Sequence, residues 1–171
     1  MQTITEKILN DTMLYGNIPV FTYHIAYPSF STTCVLSAAQ TANIYYMQLA
    51  ENTEQYCRTV LYPQAVESAR YITSNHPPFN RYTLDMNYQI TYNSGCITSL
   101  YMDTYTYMGG AHQELERISD TWDFRHMGFQ YRQTVTSGRY LRPYSRSPER
   151  TPNVCGTANR RTLKGIPWFL F

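Results

Sequence analysis

The 171-residue chain has a small net charge, but its acidic and basic side chains are separated along the sequence. The formal charge is +2, yet residues 1–124 hold 5 basic and 11 acidic side chains, whereas residues 125–171 hold 9 and 1. A hydrophobic content of 43% excludes a disordered chain, and a charged content of 15% is too low for a coiled coil. We therefore expect a folded acidic body followed by a basic tail.

The sequence predicts neither a membrane span nor an export signal. The longest apolar run is far shorter than the ~18 residues that a span requires. Glu6 and Asp11 stand where a signal peptide would need an uninterrupted apolar stretch. These features favour a cytoplasmic location.

The cysteines match neither the spacing of a zinc site nor a dense disulfide framework. We expect free, buried thiols, and a bridge between Cys34 and Cys57 remains open as the alternative. Free thiols are typical of the cytoplasm. The four cysteines are Cys34, Cys57, Cys96 and Cys155.

The first half of the chain predicts a strand followed by helix. Residues 18–27 are apolar, β-branched and aromatic with alternation, and Pro28 ends them. Apolar residues then recur at helical spacing over residues 34–56. Pro63 can begin a second helical piece, or continue one kinked helix, until the Pro-rich stretch at 77–78.

The second half predicts an antiparallel meander. Residues 82–92 alternate strictly between apolar and polar, residues 93–95 suit a hairpin turn, and residues 96–107 and 115–124 are typical of two further strands. The fold class is therefore α+β, with helices on one side of an antiparallel sheet. The sequence predicts a folded domain over residues 1–124, which consists of a strand–helix part (15–78) and a meander part (79–124). An irregular tail follows at residues 125–171.

A motif at the end of the second meander strand resembles a known bacterial family. Residues 105–112 read Tyr-x-Tyr-x-Gly-Gly-Ala-His and are followed by TWDF at 121–124, while FTYHIAYPSF at 21–30 precedes a long helix. This arrangement resembles domains of unknown function found in the lysozyme-sensing anti-sigma factor RsiV and the peptidoglycan deacetylase PdaC. The resemblance covers residues 15–124, and implies a binding or sensing module with a protein or glycan ligand of the cell envelope.

The resemblance ends near residue 125, where periodicity is also lost and the sign of the charge changes. Only residues 165–171 (GIPWFLF) are similar to the family's closing strand. We hypothesise that residues from about 126 onward derive from a shifted reading frame or a rearranged gene. An incomplete, non-functional product is thus one alternative to a binding module.

The predicted ligand-binding surface lies on the second strand of the hairpin and the glycine turn after it. Tyrosine offers rigid contact area at low entropic cost, and glycines allow positive φ. Cross-strand packing of tyrosines and a structural turn histidine are the alternatives. The predicted residues are Tyr101, Tyr105, Tyr107, Gly109, Gly110 and His112.

A metal-dependent hydrolase that uses His112 with Glu114 or Glu116 is the second functional hypothesis. In those deacetylases the catalytic metal site belongs to a separate domain, and no sequence motif for a metal, cofactor or nucleophile is present here. Strict alternation would place Glu114, Glu116 and Asp120 on the face of Ile118. We expect a bulge or a late strand start to separate them. We therefore predict no enzyme, no cofactor and no metal.

The basic tail invites a comparison with nucleic-acid-binding segments. Arginines alternate with tyrosines there, a combination that can contact phosphates and stack on bases. No nucleic-acid-binding fold pattern accompanies the charge, and a tail read in another frame would be basic by chance. We therefore expect no nucleic-acid partner.

Overall fold

The computed structural model describes residues 1–75, 79–125 and 128–136, which form six strands and one long helical segment. The helical segment comprises α1, a π-helical turn and α2, between the second and third strands. The elements are β1 Thr3–Tyr15, β2 Ile18–Ser31, α1 Leu36–Tyr56, the π-helical turn Cys57–Leu61, α2 Tyr62–Asn75, β3 Tyr82–Ser94, β4 Ile97–Tyr107, β5 Glu114–Asp123 and β6 Gly128–Thr136.

The strands form one sheet in chain order, β1 to β6. Every neighbouring pair is antiparallel except β2 and β3, which are parallel because the helical segment connects them. The helical segment packs on one face of this mixed, mostly antiparallel sheet. The predicted α+β class is confirmed, as are the strand, helix and meander in their predicted order.

Two strands were not predicted from the sequence. The apolar residues of β1 recur irregularly, since this edge strand exposes much of both its sides. Strand β6 lies within the stretch expected to be irregular, yet it pairs with β5 from Asp123 opposite Gly128 to Glu116 opposite Thr136. The sheet therefore extends beyond residue 125, and the rest of the predicted tail lies outside the described residues.

The helical segment is continuous through the turn Cys57–Leu61. At its end, the Tyr62 N–H donates to the Cys57 carbonyl, five residues back. Pro63 has no N–H to donate, and the wider turn directly precedes it. Within the described residues, neither helix has the length and hydropathy needed to cross a membrane.

The small residues of α1 allow it to pack closely on the sheet. Its buried side chains are mostly alanines, and they lie on the face predicted from their spacing. The largest buried side chains of the core are aromatic, including Tyr23, Tyr46 and Phe124. The core therefore lies between α1 and the sheet, with the opposite sheet face free of helix in the described part of the chain.

The prediction of free thiols is wrong for two of the cysteines. Cys34 and Cys96 form a disulfide, with their Cα atoms 6.1 Å apart, whereas Cys57 is free and buried as predicted. The β2–helix–β3 connection brings the start of α1 to the β3–β4 turn, so residues 62 apart in sequence meet. The alternative bridge from Cys34 to Cys57 is therefore also wrong, and Cys155 lies outside the described residues.

The disulfide lies at an end of the sheet that is also held together by hydrogen bonds. The Phe124 N–H donates to the Cys96 carbonyl (2.7 Å), and the Val35 N–H donates to the Phe124 carbonyl (3.0 Å). The buried Gln2 side chain accepts a hydrogen bond from Thr98 Oγ1 at 2.7 Å. The first strand, the helix start and the hairpin turn are thus held together at this end.

Candidate binding face of the sheet

The face opposite the helices, here called the open face, carries the predicted tyrosines. Alternation along β4 places Leu100 and Met102 in the core and directs Tyr101, Tyr105 and Tyr107 to the open face. All three tyrosines are half-buried. The open face also includes His24, Thr83, Asp85, Asn87, Gln89, Asp103, Leu115 and Arg117, as the strand registers show.

Three side chains of the open face, Tyr101, Asp103 and Arg117, form a clamp around the Arg117 guanidinium. This guanidinium makes two hydrogen bonds to Asp103, Nε to Oδ1 and Nη2 to Oδ2, each 2.6 Å long. The same guanidinium lies over the Tyr101 ring, 4.1 Å from the ring centroid. Hydrogen bonding to Asp103 raises the pKa of Arg117. Paired and stacked in this way, the planar groups are fixed on the sheet.

Tyr105 lies beside this clamp, between Asp85 on β3 and Leu115 on β5. It borders a shallow cleft of about 430 Å³ that also includes His24, Asp85 and Gln113. His24 Nδ1 is 3.2 Å from Asp85 Oδ1, and Asn87 Nδ2 donates to the same oxygen at 2.8 Å. The cleft therefore combines an aromatic surface with several polar atoms.

The glycine turn follows Tyr107, and only one of its two glycine positions excludes other residues. Gly109 has φ +76°, and a Cβ there would lie 3.1 Å from the Tyr82 ring. A Cβ at Gly110 would meet nothing within 4 Å. His112 is exposed two residues later. The turn thus presents His112 beyond the end of β4, and its predicted ligand role stays a prediction.

The expected separation of the β5 carboxylates is wrong. The pairing of β4 with β5 runs without a bulge, so Glu114, Glu116 and Asp120 share one face, the helix side. Glu114 and Glu116 remain exposed there, because they line the end of a groove that α1 leaves open. Asp120 is buried and accepts a hydrogen bond from the Tyr46 hydroxyl at 3.0 Å.

Burial raises the pKa of the Asp120 carboxyl to about 6, although the Tyr46 hydrogen bond opposes this shift. The Tyr46 hydroxyl in turn accepts from Trp122 Nε1 at 2.8 Å. Desolvation likewise raises the pKa of Tyr46. This group joins α1 to β5 inside the core, and it is a structural network on the opposite side of the sheet from the tyrosine cleft.

The described residues contain no cluster of three or more His, Cys, Asp or Glu side chains that could hold a metal ion. Glu114 and Glu116 line the helix-side groove, whereas His112 lies in the turn before β5.

The tyrosines were predicted from the sequence as a binding surface, a role that stays a prediction, whereas the polar groups beside them were not predicted. Arg117 and Asp103 are 14 residues apart, and only the register between β4 and β5 makes them neighbours. Asp85 and His24 meet through the parallel pairing of β2 with β3. The alternation of β4 places Asp103 on the same face as the tyrosines. This alternation is the sequence signal from which Asp103 could have been predicted.

The fold and this face define a small α+β domain in which no helix of the described residues covers the tyrosine-bearing surface of the sheet. The sequence profile of the family described as "Deacetylase PdaC" matches residues 16–113, more than half of the chain. The chain therefore belongs to this family, which confirms the resemblance inferred from its motifs. No curated protein matches the sequence.

A solved structure supports the fold independently. The crystal structure of a DUF3298 family member from Bacteroides fragilis NCTC 9343 superposes with a TM-score of 0.52 and a sequence identity of 12%. The match covers 72% of this chain and 56% of the Bacteroides chain. The present chain thus shares this fold over little more than half the length of that neighbour.

Proposed function

We propose that this chain is a non-enzymatic binding or sensing module whose contact surface is the open face. The observation that carries the proposal is the clamp of Tyr101, Asp103 and Arg117 beside Tyr105. A surface that is already ordered loses little conformational entropy when a ligand binds. Aromatic rings with fixed hydrogen-bonding groups suit both a glycan strand and a protein surface.

The proposed ligand is a component of the bacterial cell envelope, either peptidoglycan or lysozyme. Membership of the PdaC family supports this choice, because the family resemblance links the domain to peptidoglycan and to lysozyme sensing. The Cys34–Cys96 disulfide supports an oxidising compartment, since such bonds are rare in the cytoplasm. The expectation of a cytoplasmic location rested partly on free thiols, and we replace it with an extracytoplasmic proposal.

Binding assays with insoluble peptidoglycan and with purified lysozyme test the proposal. We expect the full chain to bind one of the two, and alanine at Tyr101, Tyr105 and Tyr107 to weaken binding at least tenfold, since central aromatic contacts dominate most interfaces. Tyr71→Ala is the matched control, because Tyr71 is 70% exposed on α2, away from the open face. Circular dichroism spectra and thermal melts confirm that each variant is folded.

Two results would overturn this function. One is that neither peptidoglycan nor lysozyme binds the folded full chain. The other is binding that Tyr71→Ala and the triple variant weaken equally, which would mean that the open face is not the contact surface.

A further inference from the structure

The helices do not cover the whole of their side of the sheet. Six strands at ~4.8 Å spacing span about 24 Å, whereas a helix with its side chains is about 10–12 Å wide. Of the strands, α1 packs chiefly on β2, and α2 chiefly on β2 and β1. Tyr46 of α1 still reaches Asp120 and Trp122 of β5. Within the described residues, the part of this layer left open therefore lies at the end of β4 and the start of β5, over Thr104, Thr106, Glu114 and Glu116.

A groove of about 420 Å³ occupies this open part of the layer. Leu49, Thr53 and Tyr56 of α1 form its wall, and Leu84, Met86, Met102 and Ile118 form its floor. The floor residues Met86 and Met102 are buried, but Tyr56 at the wall and Met108 at the open end are 46% and 41% exposed. Methionine side chains adapt to partners of different shape, which suits a binding groove.

The open end of the groove is acidic. Glu114 and Glu116 both line it, both are exposed, and neither forms an ion pair with any residue whose side chain the structure describes, which are residues 1–71 and 79–125. An apolar floor bounded by one helix and by carboxylates is complementary to a helix with an apolar face and cationic side chains beside it. Such a helix would cover the part of the layer that α1 leaves open.

We propose that this groove is a docking site for a cationic amphipathic helix supplied by a partner protein. Leucine-like side chains of the partner contact Tyr56, Ile118 and Met108, and its lysines or arginines pair with Glu114 and Glu116. This site lies on the opposite side of the sheet from the open face. The proposal is therefore independent of the function proposed above.

The test uses the full chain and a labelled peptide of about 18 residues, made of leucine and lysine in an amphipathic helical pattern. Fluorescence anisotropy should show saturable binding. A peptide with glutamate in place of every lysine should bind at least tenfold more weakly. The double variant Glu114→Lys/Glu116→Lys and the groove-filling variant Thr104→Trp should each weaken binding of the lysine peptide at least tenfold.

The double variant Glu51→Lys/Glu67→Lys is the matched control. It changes the net charge by the same amount at two exposed helix positions outside the groove, and it should leave the affinity unchanged. Thermal melts establish that all variants are folded. Equal binding of the two peptides, or equal weakening by the two charge-reversal pairs, would overturn the proposal.

Other occupants give different results. Sedimentation that shows a dimer of the full chain, lost in Glu114→Lys/Glu116→Lys, would assign the groove to a second copy. If the full chain binds no peptide but its Arg160→Glu/Arg161→Glu variant does, the groove belongs to the chain's own C-terminal segment. Either outcome overturns the proposal of a partner helix, and so does the absence of binding in all forms.

Discussion

The Asp120 carboxyl is a titratable group buried in the core. Its pKa is raised from 3.8 to about 6 by burial beneath α1, so the folded chain holds a proton that the unfolded chain releases between about pH 4 and pH 6. Stability from this group is therefore fully present below pH 4 and is lost as the pH rises through 6.

Replacement of Asp120 by Asn should remove this pH dependence, because the amide oxygen still accepts the Tyr46 hydrogen bond but does not titrate. A shift from 3.8 to about 6 corresponds to about 3 kcal/mol. We expect the free energy of unfolding of the wild-type chain, measured in urea and compared with Asp120→Asn, to fall by up to that amount from pH 4 to pH 7. A difference between the two chains that does not change with pH would contradict this assignment.

The two glycines of the turn after β4 allow a second test at the scale of single residues. Gly109→Ala should lower the free energy of unfolding by about 1–3 kcal/mol, because alanine is strained at positive φ and its Cβ would contact Tyr82. Gly110→Ala is the control, and should change stability by less than about 0.5 kcal/mol. Thermal or urea unfolding measures both, and equal losses would show that the turn has another conformation.

At the scale of elements, the disulfide has the largest expected effect on stability. It connects Cys34, two residues before α1, to the β3–β4 turn across 62 residues, and thus restricts the unfolded chain. Cys34→Ser/Cys96→Ser should lower the free energy of unfolding by about 2–4 kcal/mol.

Peptide mapping of the unreduced chain by mass spectrometry provides the direct control for this prediction. It should recover the Cys34 peptide linked to the Cys96 peptide. Recovery of both as free thiols from chain produced under oxidising conditions would contradict the bond.

The elements differ in how well the sequence predicts them, and burial is the physical reason. One face of strand β3 packs in the core and the other contacts solvent, so apolar and polar residues alternate and the strand can be predicted from this pattern. The buried face of α1 can be predicted from its regularly spaced alanines. Strand β1 lies at the sheet edge, where burial imposes a weaker pattern. The disulfide and the pair of Asp103 with Arg117 depend on topology and register, which no local pattern encodes.

At the scale of the whole molecule, the sheet separates two surfaces of different chemistry. The open face carries tyrosines held by paired polar groups, and the helix side carries an apolar groove with an acidic end. The end of the sheet near the disulfide is closed by hydrogen bonds from Thr98 to Gln2, from Phe124 to Cys96 and from Val35 to Phe124. The described structure therefore offers two surfaces for partners, and the proposed binding function rests on the first.

Chemical-shift mapping by NMR on the full, isotope-labelled chain tests directly whether the open face is the ligand-contact surface. The chain is titrated separately with soluble peptidoglycan fragments and with lysozyme. We expect one of the two ligands to shift the amide resonances of Tyr101, Asp103, Tyr105 and Arg117 and to leave those of Leu49 and Thr53 in the groove unchanged. Shifts confined to the groove, or no shifts with either ligand, would contradict it.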